Sequence, residues 1–399
     1  MRLFDTLQNH KVDLTIPTDR PLTLYVCGVT PYDTTHIGHA HTFLIFDLLI
    51  RHLRYRGAEV AYCQNVTDVD DPLFERANRD GVDWRWLAQQ QTEQFVKDSQ
   101  ALNILPPTYY PKASEEIPHM LPIIETLIAK GHAYERHGSV YFSIKTNPSY
   151  GAMARMSYDE LLAVANQRGN NPNDPNKRDP LDFVLWTAAK PGEAAWESPW
   201  GMGRPGWHIE CTTMATRYLG DQIDIHGGGR DLIFPHHPSE IAQTECYTDK
   251  HPFVRFWLHG GMVYLDGEKM SKSLGNMVFA RDALREHSAD ALRWYLLSFP
   301  YRDDFSYEKR EVIETEQKIA SLQAALIAKS GGGSELDITD DREHFLAALN
   351  DDLQSPIALS HLDAISTHIL RAAAANRTVT QAQATLRELA GIFGFWAVQ

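Results

Sequence analysis

Apolar runs and polar breaks divide the chain into blocks. LTLYVCGV (22–29) is a compact apolar run of strand length, and TFLIFDLLIRHLRYRG (42–57) is apolar on most faces before it stops at Gly57. The first predicts a buried strand, the second a buried helix with a glycine stop. EVAYCQNVTDVDD (59–71) follows as a second strand. Strand, helix and strand in this order make a βαβ unit, hence a parallel sheet with a right-handed crossover. Residues 72–130 read as helical, broken by LPPTYYP at 105–111, and GSVYFSI (138–144) reads as a strand of an inserted element. NQRGNNPNDPNKRDP (166–180) is polar and rich in Asn and Pro, which predicts an exposed loop. From DFVLW (182–186) to LRWYLLSF (292–299) strand-like and helix-like pieces alternate again, which places the return of the sheet at 182. KSGGGSE (329–335) has the composition of a flexible linker, and 341–396 predicts two or three amphipathic helices. No internal repeat is visible.

Composition narrows the class. The chain has 399 residues, 43% hydrophobic and 10% aromatic, which suits a soluble globular protein of two or three domains. No window approaches the roughly 20 apolar residues of a membrane span, and MRLFDTLQNHKVDL carries no apolar signal region. The expected location is cytoplasmic, away from membranes. A net charge of −14 offers a polyanion no basic surface in bulk, only room for a local groove. The four cysteines, Cys27, Cys63, Cys211 and Cys246, are then thiols or metal ligands, not a disulfide framework.

Two segments carry phosphate chemistry. In HIGHA, His36, Gly38 and His39 stand at the corner between the first strand and its helix. Gly38 lets a ligand approach the backbone, the helix start offers free N–H groups, and two imidazoles can donate hydrogen bonds to a phosphate gathering charge. GEKMSKSLGN (267–276) places Lys269 and Lys272 in a Gly/Ser-rich loop with Ser271, able to close over a triphosphate. Each segment alone also fits a blander structure, a histidine-rich cap or a solvated basic loop; together they are far more specific.

HIGH with KMSKS resembles the double signature of class I aminoacyl-tRNA synthetases. The resemblance implies a Rossmann-type parallel α/β sheet interrupted by an insertion and followed by a C-terminal helical bundle. It divides the chain into a first catalytic half (1–72), an inserted connective domain (73–181), a second half with the KMSKS loop (182–300) and a helical stem and domain (301–399). It assigns His36, His39, Lys269 and Lys272 to the ATP phosphates and catalysis. Gly38 and Ser271 join the ATP site, and Gly229 and Asp231 of HGGGRDLIF (226–234) become ribose contacts.

Cys27, Cys211 of WHIEC, and His236 with Glu240 four residues on match the zinc ligands of cysteinyl-tRNA synthetases. Two thiolates, an imidazole and a carboxylate form a plausible Zn²⁺ set, and the i,i+4 pair faces one way on a helix. By the same likeness zinc holds the thiolate of substrate cysteine, Trp207 closes over the substrate, Thr67 helps hold its carboxylate, and Thr30 lies beside the metal. A soft metal that demands a thiolate separates cysteine from serine, where apolar packing could barely do so.

L-Cysteine and ATP with Mg²⁺ are therefore the expected substrates, with cysteinyl-AMP as product. Two acceptors fit. Mycothiol ligases join cysteine to glucosaminyl-inositol, and the segment after Gly333, free of lysine and net negative, suits that small amino sugar better than a tRNA. GVTPYDTTHIGHA and LPPTYYP are worded like those ligases, whereas Glu240 and KMSKSLGN are worded like the tRNA synthetases. The balance of these features favours the amino sugar, with cysteine tRNA as the alternative. An inactive nucleotide- and zinc-binding paralogue is a third reading, and the chain is expected to be a monomer.

Overall fold

The computed structural model describes residues 1–32, 35–190, 193–270 and 276–396, with Lys269 described in its backbone only. Its centre is a parallel sheet in the order Val60–Val66, Leu22–Val29, Ile223–Gly229, Val254–Gly260. The two-residue period of a strand decides the packing. Along Leu22–Val29, Leu22, Leu24 and Val26 enter one apolar cluster with the helix Ile37–Tyr55, whereas Tyr25 and Cys27 enter another on the opposite face. That second cluster holds the helices Ala113–Ala129, Trp207–Leu219 and His236–Thr248. Cys27 thus shares a strand with core leucines and points the other way.

Both sheet edges are covered. Tyr109 and Pro111 of the LPPTYYP segment accept from the backbone of Gln64 and Val66 at 3.0 and 2.9 Å. On the far side an N-terminal hairpin (Arg2–Asp5, His10–Asp13) caps Val254–Gly260: the Thr6 N–H donates to the Trp257 carbonyl at 2.9 Å, and Asp5 accepts from the Trp257 N–H at 2.9 Å. These contacts occupy edge groups that would otherwise stay open to another strand.

The insertion between Val60–Val66 and Ile223–Gly229 carries an antiparallel sheet in the order Ala133–Arg136, Ser139–Phe142, Phe183–Ala188, Gly203–Pro205. This corrects the reading of 182–186 as the point where the parallel sheet resumes. Phe183–Ala188 pairs antiparallel with Ser139–Phe142, and the parallel sheet returns only at Ile223. An apolar run does not record which sheet it joins.

After the central sheet come the helix Lys309–Ile327 and three more, Thr339–Asn350, Ser355–Ala374 and Thr380–Ile392. The 329–335 segment is not the flexible linker its composition suggests. The Gly331 and Gly333 N–H groups donate to the carbonyls of Arg377 and Asn376 at 2.8 and 2.9 Å. A Cβ on Gly331 would lie 2.2 Å from the Asn376 backbone, so glycine serves close packing there. The 166–180 loop is irregular, as its composition predicts, but anchored: Tyr141 donates to Asp174 at 2.7 Å, and Arg168 donates to the carbonyls of Asp231 and Phe234. No helix among the described residues is long and apolar enough to cross a membrane.

Candidate active site

Leu22–Val29 has a neighbour on each side, and the connections leave over opposite faces of the sheet. The crevice at the carboxyl ends of such a strand pair is where open α/β sheets bind ligands. Here those ends carry Cys27 and Gly28 on one strand and Gly227–Gly229 on its neighbour. The glycines are steric necessities. A Cβ on Gly28 would sit 1.7 Å from the Asn65 carbonyl oxygen, and one on Gly227 would sit 2.3 Å from the Phe46 ring.

The HIGH corner closes one side of the crevice. His36 caps the helix Ile37–Tyr55 with an extended backbone, and its Nδ1 accepts from the His39 N–H at 3.2 Å. The two imidazoles stack with centroids 3.6 Å apart. A Cβ on Gly38 would stand 3.0 Å from the His36 ring, so glycine lets the pair close. Burial lowers the His39 pKa to about 4, and its Nδ1 has no hydrogen-bond partner among the described residues, so the imidazole is neutral with a nitrogen open to a ligand. The same corner is tied to the segment after KMSKS: Ile37 N–H donates to the Val278 carbonyl and Ala280 N–H to the Thr35 carbonyl, both at 2.9 Å. The HIGH corner and the segment that follows KMSKS in the chain thus lie against each other. Ser271 and Lys272 lie outside the described residues; Lys269 ends the strand Glu268–Lys269, paired with Tyr264.

Opposite lies a buried cluster. One ligand atom each of Cys27, Cys211, His236 and Glu240 falls within 4.8 Å of the others. Cys27 Sγ lies 3.9 Å from Cys211 Sγ and 3.8 Å from Glu240 Oε1, and His236 Nε2 lies 3.1 Å from Glu240 Oε1. Tetrahedral zinc with bonds of 2.0–2.3 Å has ligand–ligand edges of roughly 3.3–3.8 Å, so the spacing fits. Among the described residues His236 Nε2 is buried without a hydrogen bond, which suits a metal-ligand nitrogen. Burial raises the Cys27 thiol and Glu240 carboxyl well above their ordinary values and lowers His236 well below. Without a cation burial favours the neutral forms of Cys27, His236 and Glu240; a cation would stabilise the anionic forms of the thiol and carboxyl.

Around this cluster stand histidines the sequence reading passed over. Nδ1 of His208 and Nδ1 of His236 are 2.8 Å apart. His226 hydrogen-bonds Glu240 at 2.9 Å, and with Cys27, His237 and Glu240 it makes a second set of atoms within 4.8 Å. His237 in turn meets His259 at 2.7 Å, and His259 meets Thr6 at 2.8 Å. Only the HH pair at 236–237 hinted at them; the others come from separate strands and helices. In the second set His226 and His237 already hydrogen-bond Glu240 and Cys27, so the first set is the better fit.

The other expected residues fall around the crevice. Trp207 starts its helix and stacks on His236 at 4.1 Å. Thr67 is buried and accepts from Asn65 at 3.0 Å; Thr30 donates to Asp70 at 3.2 Å. That bond engages the Thr30 hydroxyl, whereas Glu240 sits inside the cluster. Asp231 lies in the turn Arg230–Ile233, where a Cβ on Gly229 would meet its carboxylate at 2.5 Å.

The comparisons with known proteins agree with this geometry. Residues 14–317 match the class I (C) tRNA synthetase catalytic domain, and residues 344–397 match the DALR domain. The structure superposes on Mycobacterium tuberculosis methionyl-tRNA synthetase with a TM-score of 0.66 at 16% identity, covering 94% of this chain and 90% of that one. Fold and crevice are those of a class I aminoacyl-tRNA synthetase. Within that class the chain belongs to the cysteinyl-tRNA synthetase family. It is 42% identical over 398 residues to the cysteine–tRNA ligase of Dehalococcoides mccartyi, covering 99% of this chain and 86% of that protein. Against the Thermodesulfovibrio yellowstonii enzyme identity is 46% over 331 residues, covering 82% of this chain and 67% of that one; against the Escherichia coli enzyme it is 40% over 402, covering 99% and 85%.

Proposed function

We propose that this chain is a cysteine–tRNA ligase that converts L-cysteine and ATP to cysteinyl-AMP and transfers the cysteinyl group to tRNA. The observation that carries the reading is the Cys27, Cys211, His236 and Glu240 cluster, set across one crevice from the stacked His36 and His39. The amino-sugar acceptor favoured by the tail's composition is set aside, because the relatives matched along nearly the whole chain are named cysteine–tRNA ligases.

Cys27, Cys211, His236 and Glu240 would hold zinc. Bound zinc supplies a thiophilic site that takes the thiolate of cysteine and refuses the hydroxyl of serine. Trp207, stacked on His236, covers the substrate, and Thr67 orients its carboxylate. That carboxylate attacks the α-phosphorus of ATP; the bond to the bridging oxygen of the β-phosphate breaks and pyrophosphate leaves. His36 and His39 donate neutral hydrogen bonds to the phosphates, and Lys269 and Lys272 add positive charge as pyrophosphate departs, with Mg²⁺ accompanying ATP. Gly38, Gly229 and Ser271 leave room for the nucleotide, and Asp231 takes the ribose hydroxyls. A terminal ribose hydroxyl of tRNA then attacks the anhydride carbonyl, releasing AMP.

The test offers labelled L-cysteine, ATP and Mg²⁺ to purified protein with cysteine tRNA and glucosaminyl-inositol in parallel. Label on tRNA alone supports the reading. Label on the amino sugar alone overturns it.

A further inference from the structure

Outside the crevice a cavity of about 440 Å³ opens between the N-terminal hairpin, the 153–168 segment and the turn after Ile223–Gly229. Its floor is apolar: Met153 and Phe234 are each 2% exposed, with His259 beside them at 4%. Its rim holds four guanidinium groups, those of Arg155, Arg168, Arg230 and Arg302, and no acidic side chain is among the described lining residues. Two of these charges are balanced nearby, Arg230 by Asp304 and Arg302 by Asp352, each at 2.9 Å. The other two lack a direct ion pair, although the Asp231 carboxylate acts on Arg168 from a greater distance. Arg155 donates only to the carbonyls of Met153 and Leu7, at 3.0 and 2.6 Å, and Arg168 only to those of Asp231 and Phe234. Among the described residues neither meets a carboxylate at ion-pair distance.

Two guanidiniums without a direct ion pair at one pocket, Arg155 and Arg168, run against a chain of net charge −14. Arg155 stands at φ +54°, in the left-handed region that glycine adopts most readily. The fold holds this conformation where Arg155 joins the pocket rim. Guanidinium forks match phosphate oxygens, and an apolar floor suits a planar ring.

We propose that this cavity binds one nucleotide unit, its phosphate at the Arg155–Arg168 rim and its base over Met153 and Phe234. The residues of the HIGH corner do not line it. The pocket is therefore separate from the phosphate wall of the crevice, although Arg168 bonds the carbonyl of Asp231 and links the two. The nucleotide is either free or part of a nucleic-acid strand; the chemistry is the same.

Equilibrium titration of the full chain decides the matter. The crevice is first saturated with a cysteinyl-sulfamoyl adenosine, and CMP, cytidine, inorganic phosphate and a single-stranded trinucleotide are then compared. CMP is expected to bind at least tenfold more tightly than cytidine or phosphate. Arg155→Gly, which suits the positive φ, should weaken CMP about tenfold without lowering the melting temperature, and Arg155→Glu should weaken it further. A trinucleotide tenfold tighter than CMP identifies a strand; equal affinity identifies a free nucleotide. Absence of CMP binding, or binding indifferent to Arg155, overturns the proposal. If the sulfamoyl analogue does not bind, the proposed function is what has failed, and the Arg155 dependence is then read without it. Cysteine-dependent pyrophosphate exchange on the same preparation tests that function separately.

Discussion

Cys27 meets two demands with one side chain: it packs in an apolar face and it stands 3.8 Å from a buried carboxylate. Without a cation, burial keeps such groups protonated. Cys211→Ala should therefore lose zinc, measured by metal analysis of the purified protein, and lose cysteine-dependent pyrophosphate exchange with it. A variant that kept near-normal exchange would refute the assigned role of the cluster. Gly38→Ala places a methyl 3.0 Å from the His36 ring and must part the stacked pair; adenylate formation should fall at least tenfold while zinc content holds. Asp70 carries a pH signature. Burial raises its carboxyl to about 6, so the folded state holds the proton more tightly than the unfolded state, whose pKa is near 4. Its contribution to stability is full below about pH 4 and is lost as pH rises through about 6. The melting temperature of Asp70→Asn relative to the parent should accordingly climb between pH 4 and pH 7, and a constant difference across that window would contradict the assignment.

Elements show what patterning could and could not reveal. The strand Leu22–Val29, the helix after it and the second strand were legible because each is buried by a simple period and ended by a recognisable break. The histidine shell was not. His208, His226, His237 and His259 converge from two helices and two strands, and no spacing along the chain singles them out. The tail misled for a related reason. Its net charge describes the whole segment, whereas recognition of a nucleic acid depends on where a few cations sit. Gly28 offers the sharpest test at this scale. A methyl there would overlap the Asn65 carbonyl, so Gly28→Ala should destabilise by about 3 kcal/mol, read from chemical denaturation. A loss under 1 kcal/mol would mean that the sheet can shift its register there.

For the whole molecule, one buried arginine joins distant parts. Arg293 donates to the carbonyls of Phe393 and Leu102 at 2.8 and 2.7 Å and meets Asp47 at 2.5 Å, linking the HIGH helix, the insertion and the C-terminal end. Arg293→Met leaves the Asp47 carboxylate buried with Arg51 and the Leu105 N–H as its partners, and should cost about 3–5 kcal/mol by denaturant titration. The N-terminal hairpin reaches the Cys27, Cys211, His236 and Glu240 cluster along Thr6, His259, His237 and Cys27, and Thr6 and His259 are 253 residues apart. Such a site has very high contact order. During synthesis the hairpin leaves the ribosome early and must wait for the Val254–Gly260 strand before it can dock. A cation held by this cluster would have to wait until well over half of the chain has been made, and over that interval the Cys27 thiol lacks the burial that keeps it protonated in the folded chain.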